Sequence, residues 1–302
     1  FPDKDFTKEI IKGDIRDREL MESIIKDGKF DVILHIAGIA PLPDCQSNPN
    51  LALDVNVGGT LNILELSRKY GVKKIIFAST TAIYENDKVF PSKEDKFELP
   101  TLIYANTKYS AERFCQSYCD TYGMSVTALR FANVYGPHID FLRKQPPFAG
   151  YMRRELLSNR APTFYSDGNQ SRDYIFVEDL IELITLIIKD ISSKGFEVLN
   201  VSSNTSYSVK DMFNIVKNIT KKNIGSNFIS SDEFWNKYPL LYEGVFPIKN
   251  KILFDEVNKK TLCDNTLAKI KYGWEPRVSL EEGLKKSVED IENKMRELNL
   301  LS

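Results

Sequence analysis

The sequence predicts an α/β protein, a doubly wound parallel sheet with a smaller C-terminal lobe. Two observations carry that class. Short β-rich apolar runs alternate with amphipathic helical stretches through the first two thirds of the chain, the rhythm of right-handed βαβ crossovers. The runs are nearly continuous in apolar residues, as strands covered on both faces require. With 302 residues and 42% apolar composition, the chain has ample material for such a core.

The elements follow in order. Residues 30–36 (FDVILHI) form a buried strand closed by Ala37 and Gly38. Residues 51–70 carry a helical period that stops at Gly71, a C-cap residue. Residues 73–79 (KKIIFAS) make a second buried strand. Residues 104–122 make a long helix ending at Gly123, with Cys115 and Cys119 four apart on its core face. Residues 125–131 (SVTALRF) are a third strand. A strand and helix follow over 173–189, then a strand at 196–201. From Ser202 the texture turns Lys- and Asn-rich, with helices at 209–220 and 280–298 and an irregular stretch holding Pro239 and Pro247. The predicted division is 1–136 with 172–203 for the sheet domain, and 137–171 with 204–302 for the lobe over its carboxyl edge. Ligands of open α/β sheets bind at that edge.

Charge and composition narrow the function. Lys and Arg total 41 against 42 Asp and Glu, for a net charge of -1. A nucleic-acid protein, which needs clustered cations, is excluded; an anionic small substrate is compatible, because a local cation cluster suffices. The four cysteines form no Cys-x-x-Cys pair and only two histidines accompany them, so no metal site is expected. Reduced thiols suit a cytoplasmic protein. No apolar run approaches the ~20 residues that span a bilayer, and no secretory pattern follows Phe1. A first residue other than Met leads us to expect a fragment of a longer product.

Tyr104-Ala105-Asn106-Thr107-Lys108 opens a helix, and spacing of four puts Tyr104 and Lys108 on one face. A phenol, with a pKa near 10, is a poor base until a neighbouring cation favours its ionised form. With Lys108 beside it, Tyr104 is a candidate to take a hydroxyl proton. Alone, the pair reads sooner as a solvated helical face. Context decides: Phe77-Ala78-Ser79-Thr80-Thr81-Ala82-Ile83-Tyr84 ends a strand upstream and offers a hydroxyl partner for Tyr104. Downstream come Leu129-Arg130-Phe131-Ala132-Asn133-Val134-Tyr135-Gly136-Pro137 and Gln170-Ser171-Arg172-Asp173-Tyr174.

In this order, these segments resemble the NAD-dependent nucleotide-sugar epimerase/dehydratase branch of the extended short-chain dehydrogenase/reductases. Gly13-Asp14-Ile15-Arg16-Asp17, His35-Ile36-Ala37-Gly38, Asn56-Val57-Gly58-Gly59-Thr60 and Tyr272-Gly273-Trp274-Glu275-Pro276 add to the likeness, which spans nearly the whole chain. The resemblance implies a Rossmann-like dinucleotide-binding domain and a substrate-binding lobe. It implies that Asp14 and Ile15 line the adenine pocket, that Ala37 and Gly38 lie against the cofactor, that Asn56 supports the helix beside it, and that Ser79 lies near the nicotinamide. Thr80 and Tyr104 match the catalytic pair, and Lys108 the ribose-binding lysine. Thr80, Thr81, Asn133 and Arg172 fall at substrate positions, the last two at the diphosphate, where a guanidinium suits phosphate geometry. Asp14 also reads as a turn residue, and Arg172 as a lobe-to-lobe bridge. The cofactor implied is NAD, with NADP open; the partner is a nucleoside-diphosphate sugar, and the assembly a homodimer through the helices at 56–70 and 104–122.

Three departures refine the expectation. The Gly-x-x-Gly-x-x-Gly turn that brings backbone to the pyrophosphate does not occur in the 302 residues. The favoured reading is a lost first βαβ unit, leaving two apolar sheet edges unpaired; the other is a relative that no longer binds dinucleotide. Where the dehydratases carry an acidic pair after the Thr, this chain has Thr81 and Ala82, and alanine transfers no proton. In the C-terminal lobe, Leu253 stands where the family often has a nucleotide-gripping Arg; Arg153 and Arg154, after the Arg143-Lys144-Gln145-Pro146-Pro147-Phe148 insertion, are expected to be solvated helix residues rather than replacements. The expected activity is therefore 4-epimerisation through a 4-keto sugar. A nucleotide-sugar dehydrogenase/reductase or dehydratase stands second, and a non-catalytic dinucleotide-binding protein last.

Overall fold

The computed structural model describes residues 10–143 and 146–301; Phe1, and Lys144 and Gln145 of the insertion, lie outside the described residues. Helix α1 (Arg18–Gly28) starts where the Asp17 carboxylate accepts the Leu20 N–H, a side-chain cap on an otherwise orphan donor. Strand β1 (Val32–His35) leads to α2 (Leu42–Ser47) and α3 (Pro49–Leu53). A π-helical turn, Asp54–Gly59, then runs into α4 (Thr60–Tyr70). Gly71 ends α4 at φ 73°, and Gly123 ends α5 (Ile103–Tyr122) at φ 68°, a left-handed geometry that glycine adopts without steric cost. Between them runs β2 (Lys74–Thr80), buried along its full length.

After β3 (Ser125–Phe131) come β4 (Asn133–Tyr135), α6 (Phe148–Leu157), β5 (Thr163–Tyr165), β6 (Ser171–Phe176), α7 (Val177–Lys189) and β7 (Gly195–Val201). The remainder holds β8 (Ser206–Ser208), α8 (Val209–Thr220), β9 (Asn227–Ile229), α9 (Asp232–Trp235), α10 (Asn250–Asn258), α11 (Thr266–Tyr272) and α12 (Leu280–Glu297). The stretch around Pro239 and Pro247, read as irregular, in fact carries α9, a 3-10 turn over Pro239–Tyr242 and α10.

The main sheet has the order β1-β2-β3-β7, parallel throughout. One face is covered by α1, α4 and α5 through Ile25, Ile63, Leu64, Ala111 and Cys115. The other is covered by α7 and the chain around Trp274 through Leu180, Leu183, Ile187 and Ala268. The sheet is thus doubly wound, as expected. A third apolar cluster joins Phe141, Met152, Phe164 and Phe213 to Leu284 and Ile291 of α12; it underlies the lobe with the small sheets β4-β6-β8 and β5-β9. Among the described residues the main sheet has four strands, and Leu34 of β1 and Ile36 just past it are exposed.

Candidate active site

The carboxyl ends of β1 and β2 meet the first turns of α5. Thr80 closes β2, and its Oγ1 accepts the Ala82 N–H at 3.1 Å, capping the 3-10 turn Thr81–Tyr84. The Tyr104 phenol lies close enough to this hydroxyl for it to favour the ionised phenol. One turn on, buried Lys108 donates from Nζ to the Ala78 carbonyl at 2.8 Å and sits 4.8 Å from the Phe77 ring centroid. The loop after β1 closes on the same point: a Cβ added to Gly38 would fall 2.9 Å from Asn56 Oδ1 and 3.3 Å from Lys108 Nζ. The structure therefore brings Thr80, Tyr104, Lys108, Gly38 and Asn56 together at the sheet edge.

Asn56 is the clamp. Its Oδ1 accepts the Ile39 N–H at 2.8 Å, while Nδ2 donates to the Ile39 carbonyl and to Thr107 Oγ1, both at 3.0 Å. It sits in the π-helical turn, whose extra residue turns the side chain inward; such turns recur at functional sites. Beneath it Thr60 Oγ1 donates to the Asn56 carbonyl at 2.7 Å and lies 3.0 Å from His35 Nε2. Since the hydroxyl has one proton, His35 carries its own on Nε2 and donates it.

Electrostatics depart from expectation in one respect. The Tyr104 phenol is pushed up from its ordinary value by burial, while the Thr80 hydroxyl pulls it down. The Lys108 ammonium donates to the Ala78 carbonyl, and burial lowers Lys108 itself to about 8. A cation beside the phenol would favour its ionised form.

The other expected residues are scattered. Ala37 is exposed on the loop after β1, and Thr81 is buried in the catalytic turn. Ser79 is buried with its hydroxyl on Glu112, so it serves the packing beneath the site. Asp14 is held in an exposed ion pair by Arg16 at 2.7 Å, and the Ile15 side chain packs on Gly59. Asn133 donates from Nδ2 to the Asp173 carbonyl at 3.2 Å. The Arg172 guanidinium donates to the backbone carbonyls of Ser171, Glu256 and Lys259, tying β6 to the end of α10. Leu253 is buried against Trp235 and Leu241. Arg154 is partly exposed and bonded to Glu155 and the Phe141 carbonyl. Arg153 is not solvated as expected: it is fully buried, with Nε on the Ala149 carbonyl and neither amino group hydrogen-bonded. Burial lowers it to about 10.

Sequence reasoning missed the support beneath the site. Glu112, one turn past Lys108, holds Arg130 of β3 through Oε1 at 3.0 Å and Oε2 at 2.7 Å. Arg130 Nη1 donates to Tyr84 Oη at 2.8 Å, and Tyr84 donates to Asn200 Oδ1 at 2.6 Å. An arginine inside an apolar strand was the available signal, since a buried charge needs a partner.

With the geometry in view, the chain was compared with known proteins. Residues 2–202 match the model of the NAD dependent epimerase/dehydratase family. A UDP-glucose 4-epimerase of Thermotoga maritima, solved with UDP-glucose, is 32% identical with a TM-score of 0.82, covering 94% of this chain and 84% of that one. A UDP-N-acetylglucosamine 4-epimerase from Methanobrevibacter ruminantium, solved with UDP-N-acetylmuramic acid, is 28% identical with a TM-score of 0.78, covering 95% and 83%. A UDP-glucuronate 4-epimerase of Thermodesulfobacterium geofontis is 27% identical over 91% of this chain and 76% of its own. The chain therefore belongs to the NAD-dependent epimerase/dehydratase family.

Proposed function

We propose that this protein is an NAD-dependent 4-epimerase of a UDP-sugar, with Tyr104, Thr80 and Lys108 carrying the reaction. The carrying observation is the convergence of Thr80, at the end of β2, with Tyr104 and buried Lys108, in the first turns of α5, at the carboxyl edge of the sheet. The named activities of the similar proteins, all UDP-sugar 4-epimerases, support the substrate class. Ala82, in the place where dehydratases carry an acid, removes the proton donor that dehydration needs.

The residues present fit the nicotinamide half of the cofactor. Lys108 has three donors and, among the described residues, its one acceptor is the Ala78 carbonyl, which leaves N–H groups for a ribose diol. Gly38 has no Cβ to block the approach beside it. A bound NAD would supply the acceptor, and then the donor, of the C4 hydride. Tyr104 takes the C4 hydroxyl proton through its phenolic oxygen, with the Thr80 hydroxyl bridging to the same sugar oxygen. Asn56 keeps the loop at Gly38 in place, and Asp14 and Ile15 take the adenine end. Arg172 and Asn133 hold the diphosphate while the keto sugar turns. The carbonyl bonds of Arg172 use its amino groups and leave Nε–H out.

We assign the sheet domain to 1–136 with 172–203 and the substrate lobe to 137–171 with 204–302, the protein acting as a cytoplasmic homodimer. Among the described residues no helix is long and apolar enough to cross a membrane. The test supplies UDP-glucose, UDP-glucuronate and UDP-N-acetylglucosamine and follows the C4 epimer without net NADH. Tyr104→Phe should lower kcat by about 10²–10⁴-fold, the range of a general acid–base group. Net NADH accumulation would instead make the protein a dehydrogenase, and a fully active Tyr104→Phe would reject the site.

A further inference from the structure

Helix α5 starts without a cap of its own. Its N-cap position is Leu102, whose side chain accepts nothing, although the first amide N–H groups of a helix need outside acceptors. Two remote side chains supply acceptors for two of these, Leu102 and Ile103, and for Thr101 before them. Glu85, just past the catalytic 3-10 turn, accepts the Thr101 and Leu102 N–H groups on Oε1 at 2.5 and 2.7 Å. Gln46, from α2, accepts the Ile103 N–H on its Oε1 at 3.1 Å. Three successive amides leading into Tyr104 are thus held by side chains from two other elements. The Glu85 carboxylate has no further hydrogen bond among the described residues: its Oε2 is buried without a partner. A carboxylate buried on such terms loses hydration and keeps its place through those two amides.

We propose that Glu85 and Gln46 are positioning residues for Tyr104, fixing the first turn of α5 so that the phenol meets Thr80 and the sugar C4 oxygen. The argument rests on the proposed epimerase reading. It follows from geometry: Glu85 is anchored to the strand end that carries Thr80, so one carboxylate ties the two catalytic hydroxyls to a common frame. Gln46 ties the same turn to the loop that follows Gly38. A displacement of about 1 Å at a reacting group can cost up to 10²-fold in rate.

Glu85→Ala should lower kcat about tenfold or more and leave KM for the UDP-sugar within about twofold. Glu85→Gln keeps an acceptor for both amides and should recover at least half of kcat. Gln46→Ala should give a smaller loss of the same kind. Hydrogen exchange of the 99–106 segment should speed up about tenfold in Glu85→Ala while the 109–122 segment stays as in the wild type; this readout does not need turnover. Wild-type exchange over 99–106 in Glu85→Ala, or a rise in KM at constant kcat, would overturn the inference. So would a kcat loss that Glu85→Gln fails to recover. Tyr104→Phe separates the two claims. If it is inactive while Glu85→Ala turns over normally, the positioning role alone fails; if it is active, the epimerase reading fails.

Discussion

At the scale of single residues, the site depends on side chains that burial has shifted. His35 is the clearest. Burial, with the Lys108 charge adding to it, lowers its imidazole to about 4 from 6.5. The unfolded chain takes up a proton below pH 6.5 that the folded protein refuses until about pH 4. The stabilisation is therefore complete above pH 6.5 and is lost as pH falls from 6.5 to 4, by about 3 kcal/mol. Urea midpoints across that range should fall for the wild type and change less for His35→Gln; parallel curves would refute the assignment. Thr80, Tyr104 and Lys108 were legible in the sequence because motif spacing and order expose them. Arg153 was not: its place on α6 reads as surface, yet it is fully buried, within electrostatic reach of Tyr135 and of Asp290 on α12.

Among elements, α5 carries the most. Tyr104, Lys108 and Glu112 recur every four residues down one face, so chemistry at the top of the helix stands on an ion pair at its middle. Glu112→Gln leaves the Arg130 guanidinium buried without its counter-charge, and removing one partner of such a pair costs about 3–5 kcal/mol. Chemical denaturation should show that loss, with most of it recovered when Arg130→Met is added to Glu112→Leu. A loss below about 1 kcal/mol would mean that Tyr84 and the Glu94 carbonyl satisfy Arg130 alone. The long elements could be read because their periods are strong: β3, α8 and the Gly71 and Gly123 ends fall where the pattern puts them. The three-residue strands β4, β5, β8 and β9 could not, since three residues carry no period and their pairing is set by distant chain.

For the whole molecule, α4 and α5 bring their outer faces side by side, with Phe114 at 41% and Tyr122 at 54% exposure and Arg68 stacked 4.9 Å from the Tyr122 ring. We propose that face as the contact of a homodimer. Phe114→Asp with Tyr122→Asp should halve the mass measured by sedimentation, and an unchanged mass would move the contact elsewhere. The path of the chain has a separate consequence. It leaves the main sheet after β3, returns for β7, departs again, and comes back once more where Ser92 pairs with Cys263 and the Trp274 indole donates to the Asp179 carbonyl at 2.9 Å. On the division into two lobes that we propose, the chain laces them together at each return, so neither could be excised as one uninterrupted stretch of gene, and a graft of the lobe onto another scaffold would have to be sewn in at several joints.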